Sequence, residues 1–185
     1  MRARIQKLVD RRRSPWDIPE MSFKVAVIRH PRENLQKCSL RHLHDRPDFE
    51  FMKAVDGFSF DATGYTLLEI GAPTVSEADA QRPILLLDST WALLPRIRAK
   101  VFGTPVARSL PPSVLTAYPR VSKIFDDPCG LATVEALYAA LRFMGRADCE
   151  VLRLYPFGKK FLEINGWMSD IPRPDFFDGT LQVEK

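Results

Sequence analysis

The sequence predicts an α/β fold in which strands come early in the chain and helices come late. Phe23 to Ile28 is a β-rich run that alternates only weakly, and Ile84 to Leu87 is an unbroken aliphatic run. Strands that are apolar on both faces are typical of a parallel sheet covered on both sides. The helical half of the prediction rests on residues 130 to 145, where large apolar side chains recur at helical spacing.

Length and composition bound the class of protein. A chain of 185 residues suits one domain, or two small ones that share a core. The apolar run at Ile84 to Leu87 is far too short to span a membrane, and no apolar segment follows the basic N-terminus as a secretory signal would require. The 3 cysteines are far apart and odd in number, which favours reduced thiols and a cytoplasmic location.

Residues 1–20 form a basic arm, although the net charge of the whole chain is only +4. Asp10 is the single acid among the first thirteen residues, which carry the basic residues Arg2, Arg4, Lys7, Arg11, Arg12 and Arg13. Such an arm suits contacts with phosphates, which add affinity without reading sequence. A solvated terminus with no partner explains the same charges, so both interpretations stay open.

Further elements are predicted in order along the chain. Cys38 to His44 has the pattern of a helix start, and Tyr65 to Ile70 is a second strand. Residues 76 to 79 (SEAD) read as a capped helical turn, with a serine at the N-cap and an aspartate at the capping-box position. Trp91 to Phe102 is predicted to be a helix, and the proline-punctuated residues 108 to 119 an ordered loop.

The helix predicted over residues 130 to 145 carries two different surfaces. Its apolar stripe consists of Leu131, Val134, Leu137, Tyr138 and Leu141. Alanines occupy much of its remaining surface and allow close approach by a neighbouring backbone or ligand. Two shorter helical segments are predicted after it, at Cys149 to Tyr155 and at Phe157 to Asn165.

The segment LLLDSTW (85–91) is a buried strand that ends in polar residues. Open α/β sheets bind their ligands where such strands end, so Asp88 and Trp91 are candidate site residues. A plain core strand followed by a helix cap has the same pattern, and that alternative stays open. The chain has no glycine-rich dinucleotide motif, P-loop, serine elbow or zinc spacing. Three histidines lie near Cys38, but their spacing favours surface or capping roles, so no metal site is predicted.

Five segments of the chain, taken in order, resemble a known family. They are KCSLRHL (37–43), GAPTVSEAD (71–79), LLLDSTW (85–91), RSLPPSVLTAYP (108–119), and GLATVEALYAAL (130–141) continued by YPFGKKFLEIN (155–165). In type and order these segments resemble the small-subunit ribosomal RNA aminocarboxypropyltransferases. A related group is the DTW-domain transferases that modify tRNA, whose Asp-x-Thr-Trp resembles residues 88 to 91, although their cysteine-rich metal motif is absent here.

The resemblance implies a fold related to the knotted SPOUT methyltransferases. The expected organisation is an α/β SPOUT-like part over residues 21–103 and a mostly helical part over residues 104–170, with a tail at 171–185. The implied activity is transfer of the 3-amino-3-carboxypropyl group of S-adenosylmethionine to a uridine-type base in RNA. Ribosomal RNA is the expected partner and tRNA the alternative, with no membrane partner and a monomeric protein. The absence of a glycine-rich loop fits this cofactor, which has no phosphate to bind.

The resemblance also assigns roles to individual residues. Polar contacts to the cofactor are expected from Ser39, Thr133 and the main chain near Cys129. An apolar wall is expected from Trp91 and two leucines, Leu87 and Leu110. Asp88 is the catalytic candidate, either orienting the acceptor base or easing the loss of its proton. Its alternative role is to cap the helix predicted to start near Trp91.

The sequence departs from the family pattern in two places. Leu40 stands where the family has a glycine, and AYPRVSK (117–123) replaces an asparagine-rich segment in the loop expected nearest the cofactor. A non-catalytic RNA-binding or ribosome-assembly protein with the same fold is therefore the leading alternative. Methyl transfer from the same cofactor is a third hypothesis, since the sulfonium activates all of its carbon substituents.

Overall fold

The computed structural model describes residues 24–33, 36, 38–119 and 130–178. Five strands form one parallel sheet in the spatial order β2-β1-β5-β4-β7, and two more pair separately as β3-β6. The strands are β1 (Val25–Arg29), β2 (Phe49–Lys53), β3 (Phe60–Asp61), β4 (Thr66–Leu68), β5 (Ile84–Asp88), β6 (Val101–Phe102) and β7 (Val106–Arg108). The chain is thus a mixed α/β protein with a parallel sheet.

The two apolar runs form the centre of this sheet, as predicted. All residues of β1 are buried, and β5 beside it is buried at every position except Leu87, which is half-buried. Side chains alternate between the two faces of a strand, so each run contributes to two cores. Val25 and Val27 belong to one hydrophobic cluster, and Ala26 and Ile28 belong to the other. Burial on both faces explains why these segments are uniformly apolar.

The described residues form three α-helices: α1 (Leu94–Arg98), α2 (Thr133–Phe143) and α3 (Gly158–Ile164). Short 3-10 helices lie at Arg41–Leu43, Glu77–Asp79, Cys149–Leu152 and Met168–Asp170. Helix α2 belongs to the larger cluster, where its alanines Ala139 and Ala140 are fully buried. The larger cluster includes residues from Val25 to Phe176, so strands and C-terminal helices share one core. No helix in the described parts of the chain has the length and apolarity that crossing a bilayer requires.

Several local predictions are confirmed and others are corrected. The capping box of residues 76 to 79 is present, with the Ser76 amide donating to Asp79 Oδ2 at 3.1 Å. The helix predicted over Trp91 to Phe102 is much shorter, because α1 spans only Leu94–Arg98 and β6 follows it. Pro95 lies in the first turn of α1, where its missing amide hydrogen costs nothing. The predicted helix start near Cys38 is one 3-10 turn.

Candidate active site

The candidate site lies where β1 and β5 end side by side. These parallel strands are paired in register so that Arg29 stands next to Asp88. Both residues are almost completely buried, with 4% and 5% of their surface exposed. Arg29 Nε donates to Asp88 Oδ2 at 2.9 Å, which forms a buried ion pair. The carboxylate therefore keeps its negative charge inside the protein by pairing with the guanidinium.

Two further side chains donate hydrogen bonds to this carboxylate. The Cys38 thiol donates to Asp88 Oδ2 at 3.2 Å and accepts from Arg29 Nη2 at 3.1 Å. The Thr133 hydroxyl donates to Asp88 Oδ1 at 2.9 Å from the first turn of α2. The guanidinium carbon of Arg29 also lies 4.8 Å from the centre of the Phe51 ring. Asp88 thus fixes the relative positions of three separate chain segments.

The ionisation of nearby groups follows from this burial. Burial raises the pKa of the Cys38 thiol to about 12, and the charge of Asp88 adds to the effect. Cys38 is therefore a thiol that donates a hydrogen bond to the carboxylate, rather than a reactive thiolate. Burial also raises the pKa of Glu33, which is half-buried in the turn after β1, and the negative charge of Asp88 contributes. Two carboxyl groups therefore share the neighbourhood of a single buried arginine.

Helix α2 brings a second predicted residue to the same place. The amide of Val134 donates to Ser39 Oγ at 3.3 Å, one residue after the Thr133 contact with Asp88. Ser39, Asp88 and Thr133 were predicted from segments far apart in the sequence. The structure brings these three residues together at the N-terminal end of α2.

Trp91 lies against the segment that leads into α2. A methyl group added at Gly130 would come within 2.5 Å of the indole ring, so only glycine allows this close packing. The Trp91 ring is half-buried, and Ser89 Oγ, two residues before it, is buried without a hydrogen-bond partner among the described residues. An unpartnered buried hydroxyl is costly, and a bound polar ligand would satisfy it. An apolar ring and a free hydroxyl together suit a ligand with both apolar and polar groups.

The remaining predicted residues are placed differently. Leu87 packs against the second cluster, on the face of the sheet opposite Asp88, so its side chain does not join the group around that carboxylate. Leu110 packs against the larger cluster. Cys129 lies outside the described residues. The alternative that Asp88 caps a helix is wrong, because α1 starts at Leu94 without a side-chain cap and both oxygens of Asp88 are used elsewhere.

The histidines near Cys38 have separate structural contacts. His42 Nε2 lies 2.8 Å from the Val151 carbonyl oxygen, and burial lowers the pKa of this histidine. The His44 ring stacks on Phe51 with 4.7 Å between ring centres. His30 Nδ1 accepts from the amide of Arg32. Among the residues that the structure describes, no three histidine, cysteine or acidic side chains are grouped to hold a metal ion.

A second buried carboxylate, Glu135, anchors the loop beside the site. It is fully buried and accepts four hydrogen bonds, from the hydroxyls of Thr116 and Tyr155 and the amides of Ala117 and Ala132. Four donors satisfy the oxygens of this buried carboxylate without a cation. Glu135 thereby fixes the loop of residues 116–117 to the first turn of α2, two residues beyond Thr133.

Sequence reasoning missed Arg29 and Glu135 as site residues. The predicted strand Phe23 to Ile28 stops one residue short of Arg29, although a charged residue at the end of a buried strand is a signal that another charge lies beside it. Glu135 occupies the third position of a helix whose start is apolar, where an acid commonly binds the main chain. Its three distant donors depend on the tertiary fold and leave no local pattern.

The fold and this group of side chains define a class of protein. It is a mixed α/β protein with a polar cluster at the carboxyl ends of adjacent parallel strands, where such sheets bind their ligands. A family model described as the C-terminal region of ribosome biogenesis proteins matches residues 67–170. The chain belongs to this family.

A curated sequence and a solved structure from Vulcanisaeta distributa are similar to the chain. The 16S rRNA aminocarboxypropyltransferase of this organism is 29% identical over 149 residues, which cover 77% of each chain. The solved structure of the SAM-dependent rRNA:acp-transferase Tsr3 matches with a TM-score of 0.60 and 25% identity, covering 86% of this chain and 85% of that one. The resemblance carried by the five sequence segments is therefore confirmed.

Proposed function

We propose that this protein is an enzyme that transfers the 3-amino-3-carboxypropyl group of S-adenosylmethionine to a uridine-type base of small-subunit ribosomal RNA. The acceptor atom is N3 of uridine or of a modified pseudouridine. The observation that carries the proposal is the group formed by Ser39, Asp88 and Thr133, because the family resemblance predicted all three and the fold joins them. The similarity to an aminocarboxypropyltransferase along most of the chain supports the reaction type.

The cofactor site that we propose lies beside Trp91 and the start of α2. When bound, S-adenosylmethionine supplies a sulfonium that makes its attached carbons electrophilic. Trp91 presents an apolar wall, and the unpartnered hydroxyl of Ser89 is a polar contact that the sequence did not single out. Ser39 and Thr133 are proposed polar contacts next to this wall. The main chain near Cys129 and the side chain of Leu110 are further proposed contacts.

Asp88 is proposed to orient the acceptor base rather than to carry its proton away. Its charge is fixed by Arg29, and each of its oxygens already accepts a hydrogen bond. A carboxylate held in this way has a defined direction and remaining lone pairs, which suit it to accept a hydrogen bond from a substrate N–H. Correct placement of the acceptor selects the aminocarboxypropyl carbon over the methyl group, because the sulfonium activates both.

A labelling experiment tests the proposed function directly. The protein is incubated with ribosomal RNA or tRNA and with S-adenosylmethionine labelled either on the carboxyl carbon or on the methyl group. Carboxyl label in ribosomal RNA is the expected result. Methyl label in RNA would show that the protein is a methyltransferase. Carboxyl label in tRNA alone would show the tRNA-modifying activity of the DTW-domain transferases. Cofactor binding without either label in RNA would support the non-catalytic alternative.

We further propose the finer organisation implied by the resemblance. This is a SPOUT-like knot within residues 21–103, a mostly helical part over residues 104–170 that shares the larger core, an arm at 1–20 and a tail at 171–185. The parallel order β2-β1-β5-β4-β7 supports it, with β7 as the one strand beyond residue 103 that joins the sheet. We also propose a cytoplasmic monomer without a membrane partner. Light scattering during size-exclusion chromatography tests the monomer, and a dimer mass would refute it.

A further inference from the structure

Tyr118 is an exposed aromatic side chain on an anchored loop beside the candidate site. Its surface is 40% exposed, although it lies in the segment where the sequence departs from the family pattern. Its amide donates to Thr116 Oγ1 at 3.1 Å, and the preceding amide, of Ala117, donates to buried Glu135. The Tyr118 ring is therefore exposed on a backbone that these hydrogen bonds hold in place on its N-terminal side.

The same loop is also tied to the end of α3. The Leu115 amide donates to Asn165 Oδ1 at 2.8 Å, and Asn165 Nδ2 donates back to the Leu115 carbonyl at 2.9 Å. Loop residues 115 to 118 are thus held by α3 on one side and by Glu135 on the other. Glu135 lies two residues beyond Thr133, which binds Asp88, so the first turn of α2 holds both the loop that carries Tyr118 and the Asp88 carboxylate.

The Tyr118 ring keeps a free face. It packs against Phe157 edge to face, with ring planes at 86° and centres 6.0 Å apart. Such a contact covers at most one face of either ring. An exposed aromatic face on a rigid backbone is the feature on which proteins stack an unpaired base.

Basic side chains follow directly after Phe157. Lys159 and Lys160 are exposed in the first turn of α3, and neither forms an ion pair with another described residue. Glu163 is the one acid of this short helix. An aromatic face next to unpaired lysines matches the composition of single-stranded nucleic-acid sites, where rings stack on bases and cations contact phosphates.

We propose that Tyr118, Lys159 and Lys160 form a contact surface for unpaired nucleotides of the substrate RNA. The Tyr118 ring stacks on a base next to the acceptor, and the lysines contact the flanking phosphates. The identity of the ligand as RNA rests on the proposed function, but the surface itself rests on its own geometry. Stacking tolerates any base, so this surface contributes affinity and placement rather than sequence recognition.

The test measures binding of two fluorescein-labelled RNAs by anisotropy over a series of salt concentrations. One is a hairpin with an unpaired uridine-rich loop, and the other is a fully paired duplex. Tyr118→Leu should weaken hairpin binding by about 5- to 150-fold, the range for loss of one base–aromatic stack, while Tyr118→Phe should bind like the wild type. Replacing Lys159 and Lys160 by Gln should reduce the slope of log affinity against log salt by about 1.4, as expected for two lost phosphate contacts.

Matched controls use residues elsewhere on the molecule. Phe102 is 54% exposed in the separate two-stranded sheet, and Lys24 is exposed directly before β1, at the amino ends of the parallel strands. Phe102→Leu and Lys24→Gln should leave hairpin binding and its salt slope unchanged. Melting temperatures verify that every variant is folded, and calorimetry verifies that S-adenosylmethionine binds each of them equally.

Three results would overturn the surface. The first is that Tyr118→Leu binds the hairpin as tightly as the wild type does. The second is that this variant loses as much affinity for the duplex as for the hairpin. The third is that it loses affinity for the cofactor while RNA binding is intact, which would place the ring in the cofactor pocket. Failure of the proposed function looks different. In that case the hairpin binds as expected and Tyr118→Leu weakens it, but the wild type transfers no carboxyl label to ribosomal RNA. A wild-type protein that binds neither the hairpin nor the duplex would contradict both the contact surface and the proposed function.

Discussion

Asp88 is a buried side chain whose position is set by contacts from several parts of the chain. Its partner Arg29 is equally buried, so neither charge could remain in the core without the other. Cys38 and Thr133 use further lone pairs of the same carboxylate. The direction of this carboxylate is therefore set by protein contacts before any substrate arrives, which lowers the cost of placing an acceptor.

Replacing Asp88 by Asn should affect stability as well as activity. The amide keeps the shape of the side chain, but it leaves Arg29 buried without a counter-charge, which costs about 3–5 kcal/mol. Urea unfolding should show this loss, and the double variant Arg29→Met/Asp88→Asn should recover part of it. Single-turnover transfer at a temperature where the variant is folded should fall by roughly 10²-fold, because the altered side chain places the acceptor base less accurately. Full stability of the single variant would mean that the ion pair is not buried in solution.

Cys38 should be inert toward alkylating reagents in the folded protein. Because the pKa of its thiol is raised to about 12, only about one molecule in ten thousand carries the thiolate at pH 8. Treatment with iodoacetamide followed by peptide mass spectrometry should leave Cys38 unmodified in native protein. The same reaction in urea is the control and should go to completion. Rapid native modification of this residue would contradict the buried hydrogen bonds.

At the scale of elements, the loop after β5 and the segment before α2 meet at Trp91 and Gly130. The contact is close enough that glycine is required, so the ring position depends on both segments. This contact places the apolar wall of the proposed cofactor site. Trp91 and Gly130 come from chain segments that only the tertiary fold brings together.

Trp91→Ala should weaken S-adenosylmethionine binding by about 1–3 kcal/mol while the fold stays intact, because the half-buried ring contributes contact area mainly to the ligand. Calorimetry in the presence of a chelator measures this and also tests binding without a metal. Gly130→Ala should also weaken S-adenosylmethionine binding, because the added methyl group displaces the Trp91 ring. A large drop in melting temperature with unchanged affinity would show that Trp91 is a core residue.

Glu135→Ala should release the loop that carries Tyr118. It leaves four donors without an acceptor, and each buried unsatisfied donor costs about 1–3 kcal/mol before water enters. Hydrogen exchange should show lost protection at the amides of Ala117 and Ala132. Protection in β1 should stay high in the same spectra, which separates local release from global unfolding. Unchanged protection at Ala117 would mean that Glu135 does not hold the loop.

An element can be predicted from the sequence when the pattern that forms it lies within its own residues, and not when it depends on contacts with distant segments. Strand β5 and helix α2 carry uniform apolar patterns that arise from burial, so sequence alone locates them. The edge strands β2 and β7 are only partly buried and carry no uniform apolar pattern, and the sequence interpretation missed both. The Arg29–Asp88 pair depends on strands 59 residues apart becoming neighbours, which only the order of the sheet determines.

For the whole molecule, the N-terminal arm adds charge that lies outside the described residues. Removing residues 1–13 deletes six basic residues and one acid. We expect unchanged S-adenosylmethionine affinity, weaker RNA binding and a flatter dependence of that binding on salt, because phosphate contacts release counterions. Anisotropy titrations of full-length and truncated protein measure both quantities. An identical salt slope would show that the arm does not contact RNA.

The first turn of α2 also has a consequence for how the protein is made. Its consecutive residues Thr133, Val134 and Glu135 reach back to partners 45, 95 and 18 residues earlier in the chain. Closing such long loops costs entropy that the contacts repay only once all segments are present. A nascent chain that has left the ribosome only as far as β7 already holds the whole sheet, but Asp88 still lacks Thr133. The hydrogen bonding around Asp88 must therefore be completed by α2 late in synthesis, after the sheet that supports it.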